Sequence, residues 1–287
     1  MRKVPGIVLF LVMATMSHRA LAVVVTPTSN GTVLANNILG SGVTLAGTPT
    51  FLGSGTSAGT FTDGGGLGIS SGIILTSGSA PGAVGPNNVP DFSTITDTGG
   101  DAQLTMLAGY ETSDKTVLEF DFTTVGANLY FKYVFASEEY SEYTNTEFND
   151  VFAFYLDGVN LALVPGTNLP VSVNTVNDGG PIDSPPGDNP THPEFFNFNP
   201  VDSPITQYDG YTNVFTATAL GIGAGSHHIK LAIADASDSI LDSAVFIQGQ
   251  SFGIEPTGNP VPEPGTIILL GTGLVGLASY GRKRIRK

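Results

Sequence analysis

Val117-Leu-Glu-Phe-Asp-Phe122, Leu129-Tyr-Phe-Lys-Tyr-Val-Phe135 and Val151-Phe-Ala-Phe-Tyr-Leu156 decide the fold class. In the first, Leu118, Phe120 and Phe122 fall on one face of an extended chain, because side chains alternate with period two. The second places Phe131, Tyr133 and Phe135 together, opposite Tyr130, Lys132 and Val134. The third is apolar on both faces, as a strand covered on both sides should be. Asp157-Gly158 follows as a two-residue turn into a partner strand, Val159-Asn-Leu-Ala-Leu-Val164.

Outward from this centre the same pattern recurs at 212–219, 228–234 and 244–248, with a weaker candidate at 251–254. No long stretch has helical periodicity. The segment 31–85 is rich in Gly, Ser and Thr, yet apolar residues return every few positions, which predicts short strands joined by tight turns. Residues 174–204 carry seven prolines and few aliphatics, and read as a long exposed loop inserted in the domain. The expected fold is all-β: a two-sheet, jelly-roll-like sandwich over residues 23–258.

The chain has 287 residues, of which only 13% are charged, with 25 acids against 11 bases and a formal charge of −14. Such acidity argues against a nucleic-acid partner. With no Cys there is neither a disulfide nor a thiolate metal site. The bases sit mostly at the ends. Within 23–258 only Lys115, Lys132 and Lys230 face every acid but Glu263. A body with so many unmatched carboxylates repels itself unless dissolved cations compensate.

Both ends read as address labels. Residues 1–22 have the layout of a secretory signal peptide: Arg2 and Lys3, an apolar run from Ile7, and Ala20-Leu-Ala22 as the cleavage pattern. Residues 259–287 contain Pro262-Glu263-Pro264, then an uncharged stretch 266–280, then a basic cluster with Arg282, Lys283 and Arg284. Fifteen helical residues reach about 22 Å, short of the roughly 30 Å hydrocarbon core, so this short transmembrane helix suits transient retention in the inner membrane. The three-part tail resembles the PEP-CTERM sorting signal of Gram-negative bacteria. That resemblance implies removal by an exosortase-type enzyme, then release or surface display; a permanent membrane anchor is the alternative.

The body is similar to the choice-of-anchor L domain, on Val134-Phe-Ala-Ser-Glu-Glu-Tyr140, Phe148-Asn-Asp-Val-Phe-Ala-Phe-Tyr-Leu-Asp-Gly158, Ala162-Leu-Val-Pro-Gly166 and the run from Ile229 to Phe246. The family is one of surface proteins with a shared domain and a variable anchor. It implies no catalytic activity and no catalytic residues. The segment 174–204 looks longer than the family's usual connector.

Two acidic loops are the candidate sites. If strands 129–135 and 151–156 pair antiparallel, Glu138, Glu139, Asn149 and Asp150 flank one sheet end. Carboxylates held together must take up a proton or a cation, and Ca2+, with six to eight oxygen ligands, suits such a loop. Asp235, Asp238 and Asp242 form a second acidic loop after strand 228–234; whether the two meet depends on strand order. Asp157 and Asp209 read as turn residues before glycine, and Asp178, Asp183 and Asp188 as solvated loop acids. His227 and His228 face opposite sides of a strand, which disfavours a joint metal site.

The expected function is adhesive or structural at the cell surface or in the extracellular matrix, without catalysis and with calcium as a stabiliser. One alternative is a calcium-dependent glycan-binding module that holds an extracellular polysaccharide through Tyr140, Tyr143, Tyr208 and Tyr211. The other is a glycoside hydrolase using Glu138 and Asp150, since paired carboxylates can cleave glycosides.

Overall fold

The computed structural model describes residues 22–180 and 187–256. The signal segment, Asp183 and the whole sorting tail with its stretch 266–280 lie outside these residues. Among the described residues no helix is long and apolar enough to cross a membrane.

Two antiparallel sheets pack face to face. One has eight strands: β1 (Val24–Pro27), β3 (Ala58–Thr62), β4 (Gly72–Thr76), β13 (Ser243–Gln248), β6 (Leu129–Ser137), β10 (Gly210–Thr212) and β9 (Phe196–Phe198) in that order, with β11 (Phe215–Ala219) also on β6. The other has five, in the order β2 (Val43–Leu52), β5 (Thr112–Thr124), β12 (Gly225–Ala236), β7 (Val151–Leu156) and β8 (Val159–Asn160). The period-two patterns are realised. Leu118, Phe120, Phe122, Phe152 and Phe154 meet Phe131, Tyr133 and Phe135 in the core between the sheets. Phe131 stacks on Phe154 at 3.6 Å, and Phe252 closes on both as well as on Phe120 and Phe122. Phe154→Ala is expected to cost about 3–5 kcal/mol in urea unfolding, the usual loss for a buried aromatic; an unchanged midpoint would show that this stack does not hold the layers together.

The sandwich is covered on both outer faces. Val134, Ala136, Ala244 and Phe246 pack under the segments around Leu67, Ala80 and Tyr208. Val151, Ala153, Ala232 and Ala234 pack under helix α2 (Ala102–Ala108), whose Leu104 is fully buried. That helix, and α1 (Gly31–Ile38) at the core's edge, were not legible as periodic segments because each is only two turns long. Their caps were the available signal: Asn30 Oδ1 accepts from Thr32 and Val33, and Asp101 Oδ1 from Gln103 and Leu104. Lys230 Nζ reaches across from β12 to Asp101 (2.6 Å) and Gln103 (2.8 Å), pinning α2 to the sheet.

Four sequence expectations need correction. The strand expected over 159–164 stops at Asn160, whose Oδ1 accepts from both Phe154 and Ala162 and so ends the ladder. The strand expected over 212–219 is two strands, because Thr212 Oγ1 takes the Phe135 N–H and bulges the chain away from β6. Residues 251–254 form no strand and join the sheet through single bridges, Phe252 with Leu39 and Gly253 with Tyr130. Nor is 174–204 an exposed loop throughout. Val176, Asn177 and Asn199 are buried, and the two asparagines bind backbone carbonyls in place of a ladder.

Candidate functional site

Both acidic loops cross from one sheet to the other, side by side. The first leaves β6 at Ser137 and enters β7 at Val151; the second leaves β12 at Ala236 and enters β13 at Ser243. Since Ser243 is opposite Ser137 in one sheet and Ala234 opposite Val151 in the other, antiparallel pairing brings the loops to one pole. Glu138 N–H donates to the Asp242 carbonyl at 3.1 Å. Asp150 spans the junction, accepting from Ala236 N–H (2.9 Å) and from the Ser243 hydroxyl (2.7 Å).

The acids at this pole are buried. Glu139, Asp150, Asp235 and Asp242 expose nothing, and Glu138 3%. Their hydrogen bonding is uneven. Asp242 accepts from Thr94 N–H at 2.8 Å and more weakly from Ser79 N–H; a side chain on Gly78 would run into its carboxylate. Neither oxygen of Glu139 and neither of Asp235 has a hydrogen-bond partner, although the neighbouring Ser77 hydroxyl tempers the charge on Asp235. Buried carboxylates without donors hold on to protons. Burial, then the charges of Asp150, Asp238 and Glu142, pushes Glu139 up to about 10. Burial pushes Asp150 up to about 7 despite its two donors, and raises Asp235 well above the ordinary range.

Two nominated ligands point elsewhere. Asn149 Oδ1 accepts from Asn174 N–H and serves the 174 loop. Asp238 is half-exposed and turns an oxygen back to Ile240 N–H, contributing charge to the pole from its rim. Conversely, Asp114 was missed. It is buried on β5, accepts from Thr96 N–H, and adds its charge to Asp235 and Asp242. Its place in an alternating strand hid it. Among the described residues no three acid or histidine side chains surround a common point as a formed metal site.

A cleft of about 370 Å³ opens beside the pole, with Asp91, Glu138, Glu142 and Asp209 among its walls. Asp209 is therefore more than a turn residue. Its Oδ1 accepts from Asn87 at 2.7 Å, and it accepts a hydrogen bond from the Glu138 carboxyl, which keeps its proton; burial first, then the charge of Asp209, pushes Glu138 up to about 9, and burial raises Asp209 to about 6. Gln207 Nε2 donates to the other side of Glu138 at 3.0 Å. Asp178, expected to solvate its loop, accepts from the Ser141 hydroxyl. Asp157 is the turn residue expected, left-handed before Gly158, and it also binds His227.

Of the four tyrosines, Tyr140 and Tyr143 line the cleft, and of these Tyr143 is exposed. Tyr140 and Tyr208 are fully buried, their hydroxyls bonded to the Val176 carbonyl and to Thr76; Tyr211 is packed on the outer core. Tyr140 belongs to the core between the sheets and Tyr208 to the outer core of the eight-stranded sheet, against which the half-buried Tyr211 packs. Glu138 and Asp150 do not share the cleft, since Asp150 turns into the junction between the crossovers. His228 lies between Glu119 and Asp121 on the outer face of the five-stranded sheet, near the opposite end of β12 from Asp235, and His227 faces Asp157 as the alternation requires.

Two family models match the chain: the choice-of-anchor L domain over residues 16–253 and the PEP-CTERM protein-sorting motif over residues 260–284. No curated protein and no solved structure gives a match. The first model covers most of the chain, the sandwich included, and its family is one of non-enzymatic surface proteins; the second indicates processing by an exosortase-type sorting enzyme. The chain thus belongs to the choice-of-anchor L domain family and is exported across the inner membrane, to the cell surface or beyond it, under a PEP-CTERM sorting signal.

Proposed function

We propose that the exported body is a non-catalytic adhesive or structural component of the cell surface or extracellular matrix, stabilised by Ca2+ at its acidic pole. One observation carries the calcium claim: Glu139 and Asp235 are completely buried, Glu139 has no donor on either oxygen, and the Ser77 hydroxyl is the one neighbour that eases Asp235. Protonation removes the charge but leaves Glu139 with a buried O–H that has no acceptor in place, whereas a hard cation satisfies carboxylate oxygens directly. The body has three lysines against its many acids, and Lys230 is already paired with Asp101, so most of the neutralising charge has to come from protons or from cations in solution. The sorting signal supports the adhesive reading by delivering the body to the place where cells meet their surroundings. Residues 1–22 are proposed as the removable signal peptide and 23–258 as the domain that remains.

Elemental analysis of protein dialysed against calcium-free buffer tests this. About one Ca2+ per chain is expected, lost after EDTA and lost in Asp235→Asn. Metal-free protein that takes up none on addition of Ca2+ would remove the claim. A glycan-binding reading is favoured by the cleft next to the pole.

A further inference from the structure

The cleft has a composition that selects its ligand. Asp91, Glu138, Glu142 and Asp209 stand in its wall, no basic residue does, and Tyr143 and Phe198 add aromatic rings that are 38% and 45% exposed. Its volume, about 370 Å³, falls within the range of small-molecule sites. A concave surface lined by charge of one sign concentrates its own field and raises the local concentration of the opposite ion. Uronic or sulfated sugars are therefore repelled, and neutral sugars gain hydrogen bonds from their hydroxyls to the acids but no attraction of charge. A protonated amine gains from the carboxylates, and again from an aromatic face within reach. Rings also stack on the apolar face of a pyranose, and the exposed Asn88 amide in the same wall can both donate to and accept from its hydroxyls.

We infer that the cleft binds protonated amino sugars, as presented by a deacetylated glucosamine polymer. Glu142, Asp91 and the Glu138–Asp209 pair hold the ammonium group, and Tyr143 and Phe198 hold the ring. This gives the adhesive reading a partner, and it does not depend on the calcium claim.

The test is calorimetric titration of the full chain in detergent with EDTA present, at low ionic strength and about pH 6.5, where glucosamine amines are charged. The probes are a glucosamine tetramer, its fully N-acetylated counterpart and a lysine tetramer. The glucosamine tetramer should bind at least about ten-fold more tightly than either of the others. Asp91→Asn with Glu142→Gln should weaken it about ten-fold or more, and Tyr143→Ala several-fold. Asp63→Asn with Glu111→Gln, an equal loss of exposed charge elsewhere, should leave it unchanged. The inference is overturned by no binding, by equal binding of the acetylated tetramer, by equal or tighter binding of the lysine tetramer, or by equal weakening in the remote pair. Added Ca2+ that displaces the sugar competitively would also overturn it, by making the cleft a cation site.

Discussion

In EDTA, raising the pH from about 6 to about 8 is expected to lower the melting temperature by about 5–10 °C, and millimolar Ca2+ is expected to abolish that slope. Burial and mutual repulsion raise the carboxyls of Glu138, Glu139 and Asp150 in the folded state, to about 9, 10 and 7. In the unfolded chain they ionise near the ordinary value of about 4. Over this interval the native state therefore holds protons that the unfolded state has released. Stability contributed by a raised carboxyl is complete below its unfolded pKa and is lost as pH climbs through the folded one. The sign is opposite to ordinary acid denaturation, where paired carboxylates favour the folded state at higher pH. One proton retained net by the whole group over two pH units is worth about 2.7 kcal/mol, and a domain of this size shifts by about 2–4 °C per kcal/mol. Calcium that binds only the folded form at a hundred times its dissociation constant returns about the same amount. Differential scanning calorimetry with and without the ion decides it. A midpoint flat or rising with pH in EDTA, or identical with and without Ca2+, contradicts the expectation.

Two substitutions at neighbouring buried aspartates are expected to act in opposite directions. Asp150→Ala removes the acceptor shared by Ala236 N–H and the Ser243 hydroxyl, both in the crossover that faces it. Two buried donors left without a partner cost about 3–5 kcal/mol together. Removing Asp150 also relieves repulsion on Glu139 and Asp235. At about pH 5.5 most of that repulsion is already titrated away, so the lost acceptor dominates and the denaturation midpoint falls. Asp235→Asn is different, because no backbone N–H depends on its oxygens and an amide can still meet its side-chain neighbours Ser77 and Asp150. It deletes a buried charge at nearly constant volume. Stability in EDTA at about pH 8 should rise by about 1–3 kcal/mol, and the response to Ca2+ should disappear. If Asp235→Asn destabilises the metal-free protein, or keeps the full calcium response, Asp235 is not an uncompensated member of the pole.

How much of this the sequence disclosed follows from the range of each interaction. Phe120 and Phe122, or Phe131 and Tyr133, announce a strand and its inward face because alternation is a property of adjacent residues. Asp157-Gly158 announces a turn for the same reason. The two-turn helices escaped, and so did the bulge at Thr212, because a hydroxyl on Phe135 N–H is a contact between positions 77 apart. Glu138, Glu139, Asp150, Asp235 and Asp242 could be nominated as acids in loops, but a row of acids in a loop is the same string whether solvated or buried. Asp114 and Asp209 were overlooked, one inside a strand pattern and one explained too readily by the glycine after it.

By itself, then, the chain's residue order determines that two apolar-faced sheets form, that the body is far richer in acids than in bases, and that the product is exported under a removable tail; all are written in local pattern or composition. Only the tertiary structure decides that both crossovers meet at one pole, that Asp150 finds donors 86 and 93 positions away while Glu139 finds none, and that Glu138 donates a hydrogen bond to Asp209 in the wall of a cleft. Strand order sets these outcomes. It emerges from the packing of whole sheets, and the fate of a buried charge depends on which distant backbone N–H or hydroxyl that packing brings beside it.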